Sequence, residues 1–342
     1  MDNLFLLSLA AAVISFAVTP IVKKIAFKTG VIDIPKGGRK IHKKPIPLLG
    51  GVGIYLAFIV MVFLKSTEVS TEEWGILLGG FIIMIGGIMD DKWELRPYQK
   101  MLFQISASII LIIMGLKIDI ITNPFGDVVP YLNTGYLSIP LTIIWVIGIT
   151  NALNLIDGLD GLAAGVALIS CLTILFIAII KARTGAALLT AILSGAIAGF
   201  LPFNFNPATI FLGDTGAQLL GFLLAAISIE GAIKSATIFS IVVPILTMGL
   251  PIFDTIFAII RRKINGKPIM QADRGHLHHR LLDMGLNQKQ AVLVMYAIST
   301  VLSVVAIMSI QLNSSASYYL LASVILLIVL ICWRIGFFKH RE

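Results

Sequence analysis

The sequence is poor in charge, since Asp, Glu, Lys and Arg make up 13% of its 342 residues while hydrophobic residues make up 58%. A soluble domain has a charged fraction of about 25%. Runs of about 20 apolar residues, each long enough to cross a bilayer as a helix, recur from one end of the chain to the other. The composition therefore excludes a soluble globular protein and predicts one polytopic membrane domain over residues 1–342.

Other chemical signatures are also missing. The two cysteines, Cys171 and Cys332, lie inside apolar runs, so neither a disulfide framework nor a cysteine-based zinc site is indicated. No Gly-x4-Gly-Lys-Ser/Thr loop points to ATP. The first apolar run, Leu4 to Val18, follows Asp2 rather than a positively charged segment, and it has no small-residue cleavage site. We expect it to be retained as the first membrane span.

Apolar windows between charged and turn residues predict an all-α membrane protein of about eleven transmembrane helices. The helices fall near residues 4–22, 48–64, 74–89, 101–116, 138–153, 159–180, 186–201, 211–229, 236–260, 290–310 and 317–335. With the N-terminus outside and the C-terminus in the cytoplasm, 21 of the 26 Lys and Arg residues face the cytoplasm. The net charge of +8 thus belongs to a cytoplasmic face near anionic lipid headgroups, and no nucleic-acid partner is expected.

Five aspartates fall at the predicted cytoplasmic ends of spans. They are Asp90, Asp91, Asp157, Asp160 and Asp214. Membrane segments rarely keep ionisable side chains without a use, although any one of them alone could cap a helix. Their placement on one side predicts that they converge.

Each acidic motif has a chemical interpretation. The adjacent carboxylates of Asp90 and Asp91 repel each other and favour a cation or an arriving proton. Spacings of three put the polar residues from Asn151 to Asp160 on one helical stripe, which could also be a polar contact between helices. Asp214 follows Gly213 where a loop enters a helix, a position suited to Mg²⁺, which takes one or two carboxylates and substrate phosphate.

A basic connection, residues 261–289, supplies candidate anion donors. It contains Arg274, His276, His278 and His279. Zinc usually needs His-x3-5-His spacing with cysteine partners, so donors to phosphate and sugar oxygens are the better interpretation. Asp254, in the span before this connection, is expected to pair with Arg261 or Arg262.

Together these motifs resemble the polyprenyl-phosphate N-acetylhexosamine-1-phosphate transferases, the WecA/TagO/MraY group, with the TagO-type members most similar. The resemblance covers nearly the whole chain. It is carried by Pro47-Leu-Leu-Gly50-Gly51, Gly87-Ile-Met-Asp90-Asp91, Asn151 through Gly161, Phe211-Leu-Gly213-Asp214-Thr215-Gly216 and His276-Leu-His278-His279. It implies an eleven-helix fold in which undecaprenyl phosphate attacks the β-phosphate of a UDP-sugar and UMP leaves, assisted by Mg²⁺, with Mn²⁺ as a substitute.

The resemblance also implies roles for individual residues. It makes Asp214 the metal ligand, puts Asp90 and Asp91 near the lipid phosphate, and adds Asp157 and Asn154 to the polar residues lining the site. The residues that it places at the nucleotide are Asp160, Asn204 and Phe211 at the uridine, and Lys43 or Lys44 from a loop.

Two departures bear on the substrate. In MraY-type members a lysine stands at the position of Glu94, and the last motif has three consecutive histidines. The differences favour UDP-GlcNAc over a MurNAc-pentapeptide donor, and hence the first lipid-linked step of cell-wall, teichoic acid or other surface glycan synthesis at a bacterial cytoplasmic membrane. Another UDP-N-acetylhexosamine remains an alternative, and a homodimer is left open. A transporter would place its polar groups near the midplane of repeated halves, and no repeat is visible.

Overall fold

The computed structural model describes residues 3–35, 44–123, 131–233, 242–266, 268, 275–312 and 314–334. It is built almost entirely of helices. In chain order they are α1 Leu4–Thr29, α2 Gly50–Leu64, α3 Thr71–Trp93, α4 Pro97–Ile113, α5 Ser138–Ile156, α6 Leu162–Ile180, α7 Thr184–Asn204, α8 Gly213–Ile233, α9 Val242–Thr247, α10 Gly249–Ile264, α11 Leu277–Asp283, α12 Gln288–Ser309 and α13 Ser314–Arg334.

Two small antiparallel hairpins and one 3₁₀ turn complete the described structure. β1 Ile32–Asp33 pairs with β2 Ile46–Pro47 between α1 and α2. β3 Ile120–Thr122 pairs with β4 Tyr131–Asn133 between α4 and α5, and the 3₁₀ turn Gly135–Leu137 leads into α5.

Six of the described helical segments are long and apolar enough to cross a membrane: α1, α3, α5 with its 3₁₀ turn, α6, α7 and α12. Three shorter apolar helical segments accompany them: α2, α4 and Ser315–Ile331 of α13. The expectation of an all-helical membrane protein is confirmed at this level.

Helix α8 forms the centre of the bundle. It packs against α3 and α5 most extensively and also against α2, α6 and α7. Its apolar residues from Leu219 to Ile227 are almost completely buried. A helix that is apolar around its circumference is found either inside a protein or against lipid, and α8 is of the first kind.

The predicted span 236–260 differs from the structure, which describes this region from residue 242. There the helix is interrupted at Met248: α9 ends at Thr247 and α10 begins at Gly249. Pro251 lies in the first turn of α10, where its missing N–H costs no helical hydrogen bond. Helix α10 then continues to Ile264, so Arg261 and Arg262 belong to its last turn rather than to a loop.

Several helix ends meet at one end of the bundle, which we call the polar end. There the loop before α8 pairs with the entry to α2: the Phe211 N–H donates to the Pro47 carbonyl at 2.8 Å, and the Gly50 N–H donates to the Phe211 carbonyl at 3.1 Å. At the same end the loop after α7 reaches α12, where Asn206 Nδ2 donates to Gln288 Oε1 at 2.9 Å. The polar end therefore gathers residues that are far apart in sequence.

Candidate active site

The first turn of α8 is capped by a carboxylate from α3. Asp91 Oδ1 accepts from the Asp214 N–H at 2.8 Å, and Asp91 Oδ2 accepts from the Thr215 N–H at 3.0 Å and from Thr215 Oγ1 at 2.5 Å. These N–H groups have no partner within their own helix, and a carboxylate also suits the positive end of the helix dipole. Asp91 thus fixes Asp214, while its predicted role at the lipid phosphate stays a prediction.

Glycines permit this close approach. Gly213 has a φ of +73°, and a Cβ added there would lie 2.6 Å from Asp91 Oδ2. A Cβ on Gly87 would overlap the Cα of Thr215, and one on Gly51 would overlap the Cα of Gly216. Helices α2 and α3 therefore contact the start of α8 backbone to backbone.

Lys100, at the start of α4, lies between two of the predicted carboxylates. Its Nζ forms an ion pair with Asp90 Oδ2 and lies 3.6 Å from Asp214 Oδ2. Asn154 Nδ2 donates to Asp214 Oδ1 at 2.5 Å. The Asp90 side chain is 2% exposed and that of Asp214 is 31% exposed. Asp214 is therefore the carboxylate of this pair that an incoming ligand can reach.

Asp157 follows the last residue of α5 and adds negative charge to the same region. Its removal from water raises its pKa well above the usual value, and the carboxylates of Asp214, Asp91 and Asp160 raise it further. Close carboxylates resist simultaneous ionisation and favour a bound cation. The predicted convergence of the aspartates is thus reflected in their mutual electrostatics.

The three residues predicted to hold uridine all lie at the loop between α7 and α8: Asn204 precedes it, Phe211 is part of it and Asp160 bonds to it. Asp160 Oδ2 accepts from Asn206 Nδ2 at 3.1 Å and from the Ala208 N–H at 3.0 Å. The buried Asn204 donates from Nδ2 to the Ile210 carbonyl at 3.1 Å, just before Phe211. These bonds shape the loop, and its contact with a nucleotide stays a prediction.

The histidine segment begins helix α11 and is anchored by Asp254. His276 Nδ1 lies 2.6 Å from Asp254 Oδ2, and the Leu277 N–H donates to Asp254 Oδ1 at 2.9 Å. The expected pairing of Asp254 with Arg261 or Arg262 is therefore replaced, among the residues described, by a cap on α11 that also orients His276.

His278 and His279 differ in their surroundings. His278 is 2% exposed, and its ring packs so closely on Gly158 that a Cβ there would overlap Nε2. Burial, followed by the neighbouring His279, lowers the pKa of His278 to about 3. His279 is half-buried, with its ring centroid 4.1 Å from that of His278. His278 is thus neutral at physiological pH and braces the Asp157–Gly158 turn.

Two predicted cations, Lys43 and Arg274, lie outside the described residues. Lys44 is described and is exposed just before β2. Within the described ranges, no three His, Cys, Asp or Glu side chains are arranged as ligands of one metal ion. A metal here would rely on one or two carboxylates.

Comparison with known proteins assigns the chain. The glycosyl transferase family 4 profile matches residues 73–232, which contain Asp90, Asp91, Asp157, Asp160 and Asp214. A protein of Bacillus subtilis named probable undecaprenyl-phosphate N-acetylglucosaminyl 1-phosphate transferase is 43% identical over 303 residues, covering 89% of this chain and 83% of that protein. The chain belongs to the polyprenyl-phosphate N-acetylhexosamine-1-phosphate transferase family. The resemblance carried by the sequence motifs is confirmed.

Other relatives of this transferase carry two kinds of name. The decaprenyl-phosphate N-acetylglucosaminephosphotransferase of Mycobacterium tuberculosis is 35% identical over 321 residues, 86% of this chain and 79% of that protein. A phospho-N-acetylmuramoyl-pentapeptide-transferase of Staphylococcus saprophyticus is 30% identical over 327 residues, 89% and 98% of the two chains. The higher identities belong to the relatives named for N-acetylglucosamine.

Sequence reasoning about the transferase missed Lys100. In the sequence, a lysine next to an apolar run is already explained by the excess of basic residues on the cytoplasmic side. The signal that could have found it is its position in the first turn of α4, three residues after Pro97 and four before the buried Gln104. That spacing puts it on the same face as a side chain that points into the bundle.

Proposed function

We propose that this transferase moves GlcNAc-1-phosphate from UDP-GlcNAc to undecaprenyl phosphate. A phosphate oxygen of the lipid forms a bond to the β-phosphorus of the donor, the bond from that phosphorus to the bridging oxygen breaks, and UMP leaves. The products are undecaprenyl-diphosphate-GlcNAc and UMP. The observation that carries the proposal is the Asp90–Lys100–Asp214 cluster at the polar end, in a chain 43% identical to a relative named for this chemistry.

The chain supplies the groups that phosphoryl transfer needs. Such reactions depend on alignment and on neutralisation of phosphate charge more than on covalent help from the protein. The Lys100 ammonium lies beside the reachable carboxylate of Asp214, where it can also meet a phosphate oxygen. Asp90, and Asp91 through its cap on α8, fix these groups, while Asp157 adds a carboxylate beside them.

The donor set also fits a magnesium ion. Mg²⁺ commonly binds one or two carboxylates and completes its shell with water and substrate phosphate. Asp214 is the partly exposed carboxylate, and Asp157, whose pKa is raised first by burial and then by Asp214 and the other carboxylates, lies within its electrostatic reach. Bound there, Mg²⁺ or Mn²⁺ would neutralise charge on the diphosphate.

The assignment of the sugar rests on sequence differences and on the relatives. Glu94 replaces the lysine of MraY-type members, and it is the C-cap of α3, with a φ of +51°, three residues after Asp91. A carboxylate at that position favours a different UDP-sugar substrate from the one that a lysine would favour. Together with the relatives named for N-acetylglucosamine, this supports UDP-GlcNAc over the MurNAc-pentapeptide donor.

The orientation is proposed as N-terminus outside, with the site facing the cytoplasm of a bacterial cell. If α9 and α10 together form one interrupted crossing and α11 lies at the polar end without crossing, the helices make eleven crossings in all. The C-terminal end of α3 and the N-terminal ends of α4 and α8 then share one side, which matches the alternation expected along the chain. The 21 basic residues on that side support the same orientation.

The test is transfer by purified protein, measured with labelled UDP-GlcNAc and undecaprenyl phosphate in detergent. We expect labelled lipid and UMP in equal amounts, a loss of turnover with a chelator, and recovery with added Mg²⁺. UDP-MurNAc-pentapeptide should be a poor donor. Efficient use of that donor, or of another UDP-N-acetylhexosamine in preference to UDP-GlcNAc, would correct the sugar, and no transfer from any of them would refute the proposal.

A further inference from the structure

Three amide side chains, on three different helices, form a polar chain inside the bundle next to the site. They are Gln104 of α4, Asn151 of α5 and Gln218 of α8. Gln104 is 0% exposed and Gln218 is 3% exposed. Buried amides are costly unless their donors and acceptors are used, so the arrangement of their hydrogen bonds is informative.

Asn151 and Gln104 bond to each other in both directions, and from Gln104 onward each amide nitrogen donates toward Asp90. Asn151 Nδ2 donates to the Ile147 carbonyl at 2.8 Å and to Gln104 Oε1 at 2.7 Å. Gln104 Nε2 donates to Asn151 Oδ1 at 3.3 Å and to Gln218 Oε1 at 3.1 Å. Gln218 Nε2 donates to Asp90 Oδ2 at 3.4 Å. This series of amide hydrogen bonds therefore starts at a backbone carbonyl of α5 and ends on the Asp90 carboxylate.

This direction is fixed at its start. The Ile147 carbonyl can only accept, so the Asn151 amide must turn its nitrogen toward it. Each amide nitrogen has two hydrogens, and both are used in Asn151 and in Gln104. Exchanging the oxygen and nitrogen of the Gln218 amide by a 180° rotation would place its oxygen against the Asp90 carboxylate and its nitrogen against the Gln104 nitrogen. The chain thus presents a donor to Asp90.

The consequence is a fixed orientation for Asp90. Its Oδ1 accepts from the Leu95 N–H at 2.9 Å, while Oδ2 meets both Gln218 and Lys100. With the carboxylate held on both oxygens, Lys100 is held at its position 3.6 Å from Asp214 Oδ2. The position of the ammonium thus depends on amides that contact neither Lys100 nor Asp214 in the described hydrogen bonds.

We infer that Gln104 and Gln218 are positioning residues for phosphosugar transfer, acting through Asp90 to hold Lys100 beside Asp214. The inference rests on the proposed function. The contrasting role is a purely structural one, in which the amides only join α4, α5 and α8, as polar side chains do in many membrane bundles.

Two substitutions at Gln218 separate these roles. Gln218→Met keeps nearly the same volume but removes the donor. Gln218→Glu keeps an acceptor for Gln104 and opposes Asp90 with an oxygen. We expect kcat to fall about 10-fold to 100-fold in both, the range for a misplaced catalytic group. The KM for UDP-GlcNAc should stay within about 3-fold, because the chain contacts neither the α7–α8 loop nor the histidine segment.

The matched control is Ser228→Ala, also on α8. Trp145 Nε1 of α5 donates to Ser228 Oγ at 3.1 Å, so this change likewise breaks a hydrogen bond between α5 and α8, but far from Asp90. We expect a lower Tm in detergent with kcat within about 2-fold of wild type. The double variant of Gln104→Met and Gln218→Met should lose little more than Gln218→Met alone, since members of one network are not additive.

The outcomes are distinct. A wild-type kcat in Gln218→Met, or a fall in kcat equal to that in Ser228→Ala, overturns the positioning role while wild-type transfer still supports the proposed function. No transfer by wild-type protein overturns the proposed function instead. Should both Gln218 variants fail to fold, Gln104→Met decides in the same terms, because it breaks the chain while leaving the Gln218 side chain in place.

Discussion

At the scale of single residues, neighbours in sequence have different roles at this site. Successive helical residues point about 100° apart, so Asp90 faces α4 and the buried amides while Asp91 faces the start of α8. The sequence predicted that both lie at the site because membrane segments rarely keep ionisable side chains without a use. It could not divide their roles, since that depends on which helix each one faces.

Asp214→Asn tests the reachable carboxylate. We expect turnover to fall by at least about 10²-fold, and added Mg²⁺ should not restore it, because an amide lacks the charge that a hard cation requires. Asn154 can still donate to the remaining oxygen, so the variant should fold. Asp119→Asn, an exposed carboxylate beside Lys117 and away from the site, is the control and should keep wild-type activity. Near-normal turnover in Asp214→Asn would exclude Asp214 as a ligand of the proposed metal ion.

The buried His278 gives a pH dependence of stability. Its pKa is about 3 in the folded protein and about 6.5 when unfolded, so between these values the unfolded chain binds the extra proton. Stability from this group is complete above about pH 6.5 and is lost as the pH falls toward 3, by at most about 1.4 kcal/mol per pH unit. We expect the Tm in detergent to fall over this range and to fall less steeply in His278→Gln. Equal slopes would contradict the burial of this ring.

At the scale of secondary structure, the apolar pattern predicted the existence of the helices better than their ends. The first predicted span stops at residue 22, whereas α1 continues to Thr29, because Lys23 and Lys24 were counted as a loop. The interruption at Met248 lies between Pro244 and Pro251, which already marked that span as broken, whereas the short α11 escaped prediction. Helix α11 depends on a tertiary contact: it is capped by Asp254, a residue of another helix, and no local pattern encodes that bond.

The cap on α8 can be tested with Asp91→Asn. One oxygen becomes an NH₂ group, which must face either the Asp214 N–H or the donors of Thr215, and a lost buried hydrogen bond costs about 1–3 kcal/mol. We expect a lower Tm and a kcat reduced by about 10²-fold, since Asp214 moves with the helix end. Asn3→Ala removes the cap of α1 instead and should lower the Tm without changing kcat. A wild-type kcat in Asp91→Asn would reduce the cap to a stabilising contact.

The contact between α3 and α8 can be tested at Gly87. In Gly87→Ala the new methyl group overlaps the backbone of Thr215, and overpacking of this kind costs about 1–3 kcal/mol. The helices must separate, which moves Asp90 and Asp91 together, so we expect kcat to fall more than the KM for UDP-GlcNAc rises. Gly148→Ala in α5 is the control, since nothing lies within 4 Å of its added Cβ. Matching activities for the two variants would show that the contact tolerates expansion.

At the scale of the whole molecule, the proposed orientation makes opposite ends of the bundle react differently in intact cells. In a background with Cys171→Ala and Cys332→Ala, we expect Thr71→Cys to react with an impermeant maleimide. Lys289→Cys should react only after lysis. Both side chains are exposed, at the first turns of α3 and α12. Labelling of both in intact cells would refute the eleven-span arrangement, and the reverse pattern would place the site on the outer side of the membrane.

The cap of α8 also sets an order of events during synthesis. Asp91 leaves the ribosome 123 residues before Asp214, the backbone donor that it binds. At about 5–20 residues per second, that interval lasts on the order of 6 to 25 s. Throughout it, α3 is already made while the helix end that its carboxylate will cap does not yet exist. The final enclosure of Asp91 must therefore wait for α8, and the candidate active site is assembled only late in translation, after more than half of the chain has been made.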